Sequence, residues 1–365
     1  MHFDKVGFIG LGLIGGSIAR KMKENNPKVS IIATAGHQQT IDDAFGLGLI
    51  DNNELLELNS FKDCDVIFLC APVNKNIEYL TQLKDIIKDD CIITDVGSTK
   101  TQIHEKVIEL GLERNFIGGH PMTGSEKTGI LNSDKQLLEN AYYIITPTAA
   151  TTEENQNDFK QFVLSLGSIA LILDYREHDH ATAAISHLPH MIAYSLVNLV
   201  HQIDDDKETM KTIAAGGFKD ITRIASSSPV MWQNICASNR EPLLSLMDQY
   251  LALLTKLRGY IDSSNEQALL SFFQQAKDYR DSITLPSVKS PTVYYECFVD
   301  LVDETGGIAA VSGLLAQYHI SIKNIGIVNN REFEEGVLQL AFPDKQTLTR
   351  AKRLLKDNGY MVHER

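Results

Sequence analysis

The chain has 365 residues, of which 43% are hydrophobic and 22% charged, with a formal net charge of −13. That size implies two or three domains of ordinary globular composition. The negative charge argues against nucleic acid or an acidic membrane surface as the main partner, although positive groups can still line a pocket for an anionic substrate. The five cysteines (Cys64, Cys70, Cys91, Cys236, Cys297) are scattered without a CxxC pair, so neither a zinc site nor a disulfide framework is expected. A strand-like run begins almost at once, leaving no room for a signal peptide, and no apolar stretch approaches membrane-spanning length. The expectation is a cytoplasmic protein.

Val6-Gly7-Phe8-Ile9 is a short apolar run that leads straight into Gly10-Leu11-Gly12-Leu13-Ile14-Gly15 and then a helical pattern through Ile18, Ala19 and Met22. This is GxGxxG between a strand and a helix. Gly10 permits the tight turn, Gly12 lets backbone approach a pyrophosphate, and Gly15 lets the helix pack on the strand. The phosphates belong at the helix N-terminus, where free N–H groups and the dipole favour negative charge. A Rossmann-like dinucleotide-binding unit follows. Its second strand, Val29 to Ala33, is where an NAD-binding unit usually ends in Asp or Glu. Here Thr34-Ala35-Gly36-His37 holds no carboxylate. NAD is the favoured cofactor, with NADP open because nothing there repels a 2′-phosphate.

Strands Val66 to Leu69 and Ile92 to Asp95 come next, with Ala71-Pro72 placed over a cofactor at the first strand's end. Later strands span Tyr142 to Ile145 and Ala170 to Leu173, around a helix from about Glu153 to Leu166. Repeated strand–helix units predict a mostly parallel sheet with ligands at its carboxyl edge. In Gly118-Gly119-His120-Pro121-Met122-Thr123-Gly124-Ser125-Glu126, three glycines and a proline rule out a regular helix or strand, so a loop is expected. That loop presents one histidine, suited to moving a proton near neutral pH.

From Glu177 to about Ile283 the period is helical. Leu243, Leu246, Met247, Tyr250, Leu251, Leu254 and Leu257 share one face, with Asn239 as N-cap, and a second subunit is a natural cover for such a stripe. Glu177-His178-Asp179-His180 reads as a solvated helix start, with a metal cluster the less favoured alternative. In Ser186-His187-Leu188-Pro189-His190, Pro189 starts or kinks a helix and aims His190. Lys219 and Arg223 lie one helical turn apart and can reach one anion. Thr284 to Pro291 reads as a linker. Beyond it the pattern is βαββαβ, a ferredoxin-like unit.

Together, Gly10 to Ser17, Asp95-Val96-Gly97-Ser98-Thr99-Lys100, Gly119 to Glu126, Ser186 to His190 and Gly217-Phe218-Lys219-Asp220-Ile221-Thr222-Arg223 resemble the prephenate dehydrogenases of tyrosine biosynthesis. The likeness runs from about Val6 to Ile283, and the tail is similar to an ACT domain. It implies a Rossmann-like domain over 1–174, an all-helical substrate and dimerisation domain over 175–285, and a regulatory ACT domain over 291–365. Residues Gly10, Gly12, Leu13, Ile14, Gly15, Ala71, Pro72 and Ser98 would hold the nicotinamide cofactor. His120 would be the catalytic base, oriented by Ser98. His190 and Arg223 would hold prephenate, and Glu126 with Lys219 would close its mouth as an ion pair, with no metal needed. A homodimer inhibited by tyrosine bound to the ACT domain is further implied. Ala35 departs from the family, whose NAD-using members commonly carry Asp there. Arogenate is an alternative substrate that these motifs do not separate from prephenate. A β-hydroxyacid dehydrogenase would lack the His-Pro segment, and a non-catalytic sensor would not need His120, Ser98 and Arg223 together.

Overall fold

The computed structural model describes residues 3–124, 127–283, 295–301, 306–328 and 336–363. The chain divides into two compact units, Met1–Ser282 and Ile283–Arg365. The first begins β1 (Lys5–Ile9), α1 (Leu13–Asn25), β2 (Ser30–Thr34), α2 (Gln38–Gly46), β3 (Val66–Leu69), α3 (Val73–Leu83), β4 (Ile92–Asp95) and α4 (Thr101–Leu110). The strands pair in the order β2-β1-β3-β4, all parallel. Parallel strands are covered by helices on both faces and so tend to be apolar, as β3 is throughout; β4 is equally buried but ends in Thr94 and Asp95.

β5 (Ile117–Pro121) lies beside β4 through a parallel bridge between Ile93 and Phe116. β6 (Tyr142–Pro147) runs antiparallel to β5, and among the described residues between them there are 3₁₀ turns but no crossover helix. α5 (Glu153–Ser165), capped by Thr152, then leads to β7 (Ile169–Ile172), parallel to β6. On one face of this sheet Phe8 and Phe68 stack at 4.8 Å and meet Phe159 and Phe162 of α5. On the other, Ile67, Leu69 and Ile93 pack on Leu80, Ile103 and Val107. Each such large side chain contributes roughly 1.5–3 kcal/mol by burial.

Gly118-Gly119-His120-Pro121 is therefore strand rather than the expected loop. Its glycines serve close packing, not a turn. A Cβ on Gly118 would stand 2.2 Å from Thr146 Oγ1, and one on Gly119 would stand 2.7 Å from the Asp95 carbonyl oxygen. Pro121, which has no N–H for a ladder, takes the strand's last position.

The rest of this unit is helical: α6 (Tyr175–Thr182), α7 (Leu188–Ile203), α8 (Thr209–Ile213), α9 (Gly216–Thr222), α10 (Pro229–Ser238), α11 (Arg240–Asp262) and α12 (Glu266–Ser282). A π-helical turn at Ala183–His187 joins α6 to α7. A wide turn there gives room for the ring of Pro189, which would otherwise strike the carbonyl four residues back. The run Tyr175–Ile203 is consequently one helix of 29 residues, long and apolar enough to cross a membrane by length and composition. This corrects the expectation that no stretch approaches that length. Its polar side chains His178, Asp179, Thr182 and His187 are buried within the first unit. Of the apolar stripe on α11, Leu243 is buried, whereas Met247, Leu251 and Leu254 are exposed.

The second unit has β8 (Tyr295–Leu301), α13 (Gly307–Gln317), β9 (Asn324–Val328), β10 (Gly336–Phe342), α14 (Lys345–Asp357) and β11 (Val362–His363). Its antiparallel sheet has the order β11-β8-β10-β9, with α13 and α14 supplying Val311, Leu315, Ala351 and Leu355 to one core. This is the expected βαββαβ arrangement. The predicted linker from Thr284 lies outside the described residues, as does most of the loop from Asp303.

Candidate active site

The turn after β1 is shaped for close approach. Gly10 has φ +88°, and a Cβ there would lie 2.6 Å from the Ala71 backbone nitrogen. Any other residue would be strained and would push β1 from the β3 end. Gly12, the N-cap of α1, faces open space: nothing lies within 4 Å of where its Cβ would be. No side chain caps α1 and no acid occupies its first turn, so its leading N–H groups are free for an anion. Gly15 meets Cys70 Sγ at 3.0 Å from its notional Cβ, which seats α1 on the β3 end. Leu13 opens α1, Ile14 packs on the core, and Pro72 caps α3. These residues fit the pyrophosphate and adjoining parts of a dinucleotide. At the end of β2, Ala35 packs on the core, while His37 is exposed as the N-cap of α2.

β4 and β5 end side by side. Asp95, the last residue of β4, is fully buried. Its Oδ1 accepts from Gly119 N–H at 3.2 Å and its Oδ2 from Gly97 N–H at 2.9 Å, while the buried Lys100 ammonium pairs with the same carboxylate. Burial pushes Lys100 below its ordinary range, against the pull of Asp95. One carboxylate thus ties β5, the bend carrying Ser98 and the start of α4 together.

His120 stands on β5, partly buried. Its Nδ1 lies 2.8 Å from His178 Nε2. His178 Nδ1 in turn lies 2.8 Å from Asp179 Oδ1. Burial holds His120 well below the usual histidine range, and the nearby His178, Lys100 and His187 act in the same direction. A histidine kept neutral this way can accept a proton. The partner found for Nδ1 is His178, whereas the resemblance had given the orienting role to Ser98. Ser98 is partly buried in the bend after β4.

The expected solvated start at Glu177-His178-Asp179-His180 is also corrected. Asp174 caps α6 by accepting from Arg176 and Glu177 N–H, so the helix begins earlier, and His178 and Asp179 are completely buried. Nothing local in the sequence marks them as buried, because His120, Lys100 and Thr101, which they meet, lie far along the chain. Among the described residues, no group of three His, Cys, Asp or Glu is placed to hold a metal ion.

The helical segments add a second cluster. His190 lies flat on Trp232, with ring centroids 3.9 Å apart, and its Nδ1 is 2.9 Å from the Ser186 carbonyl. Burial lowers its pKa, the Ser186 bond raises it, and the charge of Arg223 lowers it further. The buried Trp232 indole N–H has no acceptor among the described residues. His187, pushed down to about 4 by burial, sits between: its charge would act on His120 and it feels that of His190. Its Nδ1 is 3.0 Å from Asn239 Nδ2, which also donates to the Asp179 carbonyl at 2.8 Å. Asn239 occupies the expected N-cap position of α11, but its side chain serves this network rather than the cap. Arg223 and Lys219 are exposed, and α9 gives way to a 3₁₀ turn at Arg223, so the two are not spaced as in one continuous helix. Glu126 lies outside the described residues.

Two family models match the chain: "Prephenate dehydrogenase, nucleotide-binding domain" over residues 18–171 and "Prephenate dehydrogenase, dimerization domain" over 174–275. The prephenate dehydrogenase of Bacillus subtilis is 35% identical over 355 residues, 97% of this chain and 96% of that protein. The chain belongs to the prephenate dehydrogenase family. Among solved structures of this fold, the prephenate dehydrogenase of A. aeolicus in complex with hydroxyphenyl propionate and NAD+ has a TM-score of 0.73 at 29% identity. That match covers 78% of this chain and 99% of that one. Synechocystis arogenate dehydrogenase has a TM-score of 0.68 at 30% identity, covering 76% and 99%. The dimerization domain of this family falls on the helices whose apolar residues Met247, Leu251, Leu254 and Phe273 are exposed here.

Proposed function

We propose that this chain converts prephenate to 4-hydroxyphenylpyruvate and CO2 in tyrosine biosynthesis. The observation that carries the reading is His120 at the end of β5, neutral, with Nδ1 engaged by His178 and Nε2 left for substrate. The nicotinamide, when bound, supplies the hydride acceptor. His120 Nε2 takes the ring hydroxyl proton as the carbon bearing it becomes a carbonyl, and loss of the ring carboxylate as CO2 then leaves an aromatic phenol. Arg223 is the natural holder of a prephenate carboxylate because its fork can bind one bidentately. His190, held flat by Trp232, lines the same pocket, and the unpaired Trp232 N–H offers a donor. Ser98 lies between this pocket and the cofactor. Lys219 would close its mouth, while Glu126, its expected ion-pair partner, lies outside the described residues.

NAD is the favoured cofactor, with NADP admitted by the sequence at Ala35. The named function of the Synechocystis relative supports arogenate as the alternative substrate. The dimerization-domain match and the exposed apolar residues of α11 and α12 support a homodimer. The βαββαβ unit, similar to an ACT domain, supports tyrosine as a feedback inhibitor acting through a conformational equilibrium. A small anionic substrate and a soluble cofactor fit a cytoplasmic enzyme. Assays with prephenate and arogenate, each with NAD and NADP, with and without tyrosine, test all of this. Absence of reduced cofactor with either substrate overturns the activity. Unchanged tyrosine inhibition after removing residues 291–365 overturns the regulatory assignment.

A further inference from the structure

The proton positions along His120, His178 and Asp179 follow from what anchors the far end. Asp179 Oδ1 accepts from Lys100 N–H at 2.7 Å, and Asp179 Oδ2 from Thr101 N–H at 2.7 Å. These are the leading N–H groups of α4, a ten-residue helix whose dipole favours an anion at that end. Burial pushes the Asp179 carboxyl up, but bonds from His178 and Thr101 outweigh it and hold the group below the usual carboxylate range. An ionised carboxylate only accepts. The 2.8 Å contact with His178 Nδ1 is therefore an N–H donated by the histidine. Burial keeps His178 low despite the Asp179 bond, and Lys100 adds to this, so the ring carries a single proton. Its Nε2 is then a lone pair. The 2.8 Å contact between that nitrogen and His120 Nδ1 must be an N–H donated by His120. His120 is neutral too, so its one proton is spent and Nε2 bears the lone pair.

We infer that His178 and Asp179 are positioning residues that fix His120 as the Nδ1–H tautomer, leaving Nε2 as the basic atom. This rests on the reading of His120 as the base. It adds a requirement: His120, Lys100 and Thr101 belong to the nucleotide-binding segment, whereas His178 and Asp179 belong to α6. The base acquires its working tautomer only when α6 is seated on the start of α4. Thr99 Oγ1 donating to Ser238 Oγ at 3.0 Å, and Asn239 Nδ2 donating to the Asp179 carbonyl, hold the same seam. Without the relay, both tautomers of a neutral imidazole are open, and in one of them Nε2 carries a proton and cannot accept another. The groups facing the pair are Lys100 and Asp95 at the β4 end and His187 on the π turn. None of them is hydrogen-bonded to His120 or His178 among the described residues.

The test combines kinetics with a direct view of the ring. In the wild-type protein, 15N–1H spectra of labelled histidine, assigned with His120→Asn, should show an unprotonated Nε2 and a protonated Nδ1 on His120. His178→Phe keeps the ring volume but removes the acceptor. It should lower kcat about a hundredfold with KM for prephenate within about threefold, in the range of general-base effects. His178→Gln retains an acceptor oxygen and should recover at least about tenfold of that loss. A wild-type His120 protonated at Nε2 overturns the proposal. So does a His178→Phe enzyme whose kcat matches wild type, or whose loss lies wholly in KM. If wild-type protein does not turn over prephenate, the reading of His120 as base fails, and the spectra alone decide the tautomer.

Discussion

The backbone N–H of Gly119 donates to Asp95 Oδ1 at 3.2 Å, while the Asp95 carbonyl oxygen stands 2.7 Å from where a Gly119 side chain would begin. The residue before the proposed base is thus pinned to the neighbouring strand by a bond that only a residue without Cβ can make at that distance. The obstructing atoms are backbone and the Tyr143 ring, neither of which can swing aside. Gly119→Ala should therefore cost about 1–3 kcal/mol, the usual scale of overpacking. Because the strain falls next to His120, kcat should drop as well. Denaturant unfolding and steady-state assays on one preparation check this, and a variant as stable and active as wild type would show that the seam yields.

His120→Asn removes the proposed proton acceptor while leaving a polar side chain of similar reach. Turnover should fall by about 10²–10⁴ with prephenate binding little changed. Single-turnover formation of reduced cofactor, with substrate affinity from titration, separates the two effects. Near-normal turnover would remove His120 from the chemistry.

Arg223→Ala should act the other way. Arg223 is exposed at the start of a 3₁₀ turn, close enough for its charge to bear on His190. Its loss should raise KM for prephenate about tenfold or more, the scale of a lost charge-assisted bond, with kcat less affected. An unchanged KM would place the carboxylate elsewhere.

Acid should destabilise the first unit through histidines buried in neutral form. His104 stacks on Tyr175 at 4.5 Å and lies 2.9 Å from Thr146 Oγ1; burial and the charge of Lys100 push it down to about 3. His187 is held at about 4. Unfolded, each would titrate near 6.5. Between these values the unfolded chain binds the extra proton, so stability is intact above about pH 6.5 and falls as the pH drops toward 4 and then 3. Each histidine adds a slope of at most about 1.4 kcal/mol per pH unit. His104→Gln should flatten the dependence of unfolding free energy on pH between 6 and 4. An unaltered slope would show that His104 is not held neutral.

Much of this architecture can be read in the sequence, and what cannot has a common cause. Val66 to Leu69 announces itself because a strand buried on both faces is an unbroken apolar run, and Ile92-Ile93 carries a shorter form of the same signal. The second unit is legible because its helices and half-exposed strands keep distinct periods. Gly118 and Gly119 mislead because their glycines answer to Thr146, His104, Asp95 and Tyr143, none of them neighbours in sequence. His178 is hidden for the same reason: it meets His120 across 58 positions, and a polar quartet at a helix start looks like surface until the opposing α4 is in place. Residues whose chemistry follows from type and local motif were visible; those that act by tertiary contact were not.

The same logic leaves one position open to a decisive substitution. In dinucleotide-binding units an acidic residue at the end of the second strand bonds the ribose hydroxyls and repels a 2′-phosphate. Here that stretch is Thr34-Ala35-Gly36-His37, with Ala35 packed on the core and His37 exposed at the start of α2. A phosphate meets no carboxylate in this stretch and finds the exposed His37 ring as a hydrogen-bond donor. NADP should therefore support turnover within about tenfold of NAD, a gap of about 1.4 kcal/mol. Ala35→Asp should restore the repulsion and lower kcat/KM for NADP by about a hundredfold while leaving NAD within a few-fold. Since Ala35 is only partly buried, the aspartate has room to turn outward. If wild type rejects NADP as strongly as the Ala35→Asp variant does, discrimination resides elsewhere in the pocket, and the missing carboxylate has no bearing on cofactor choice.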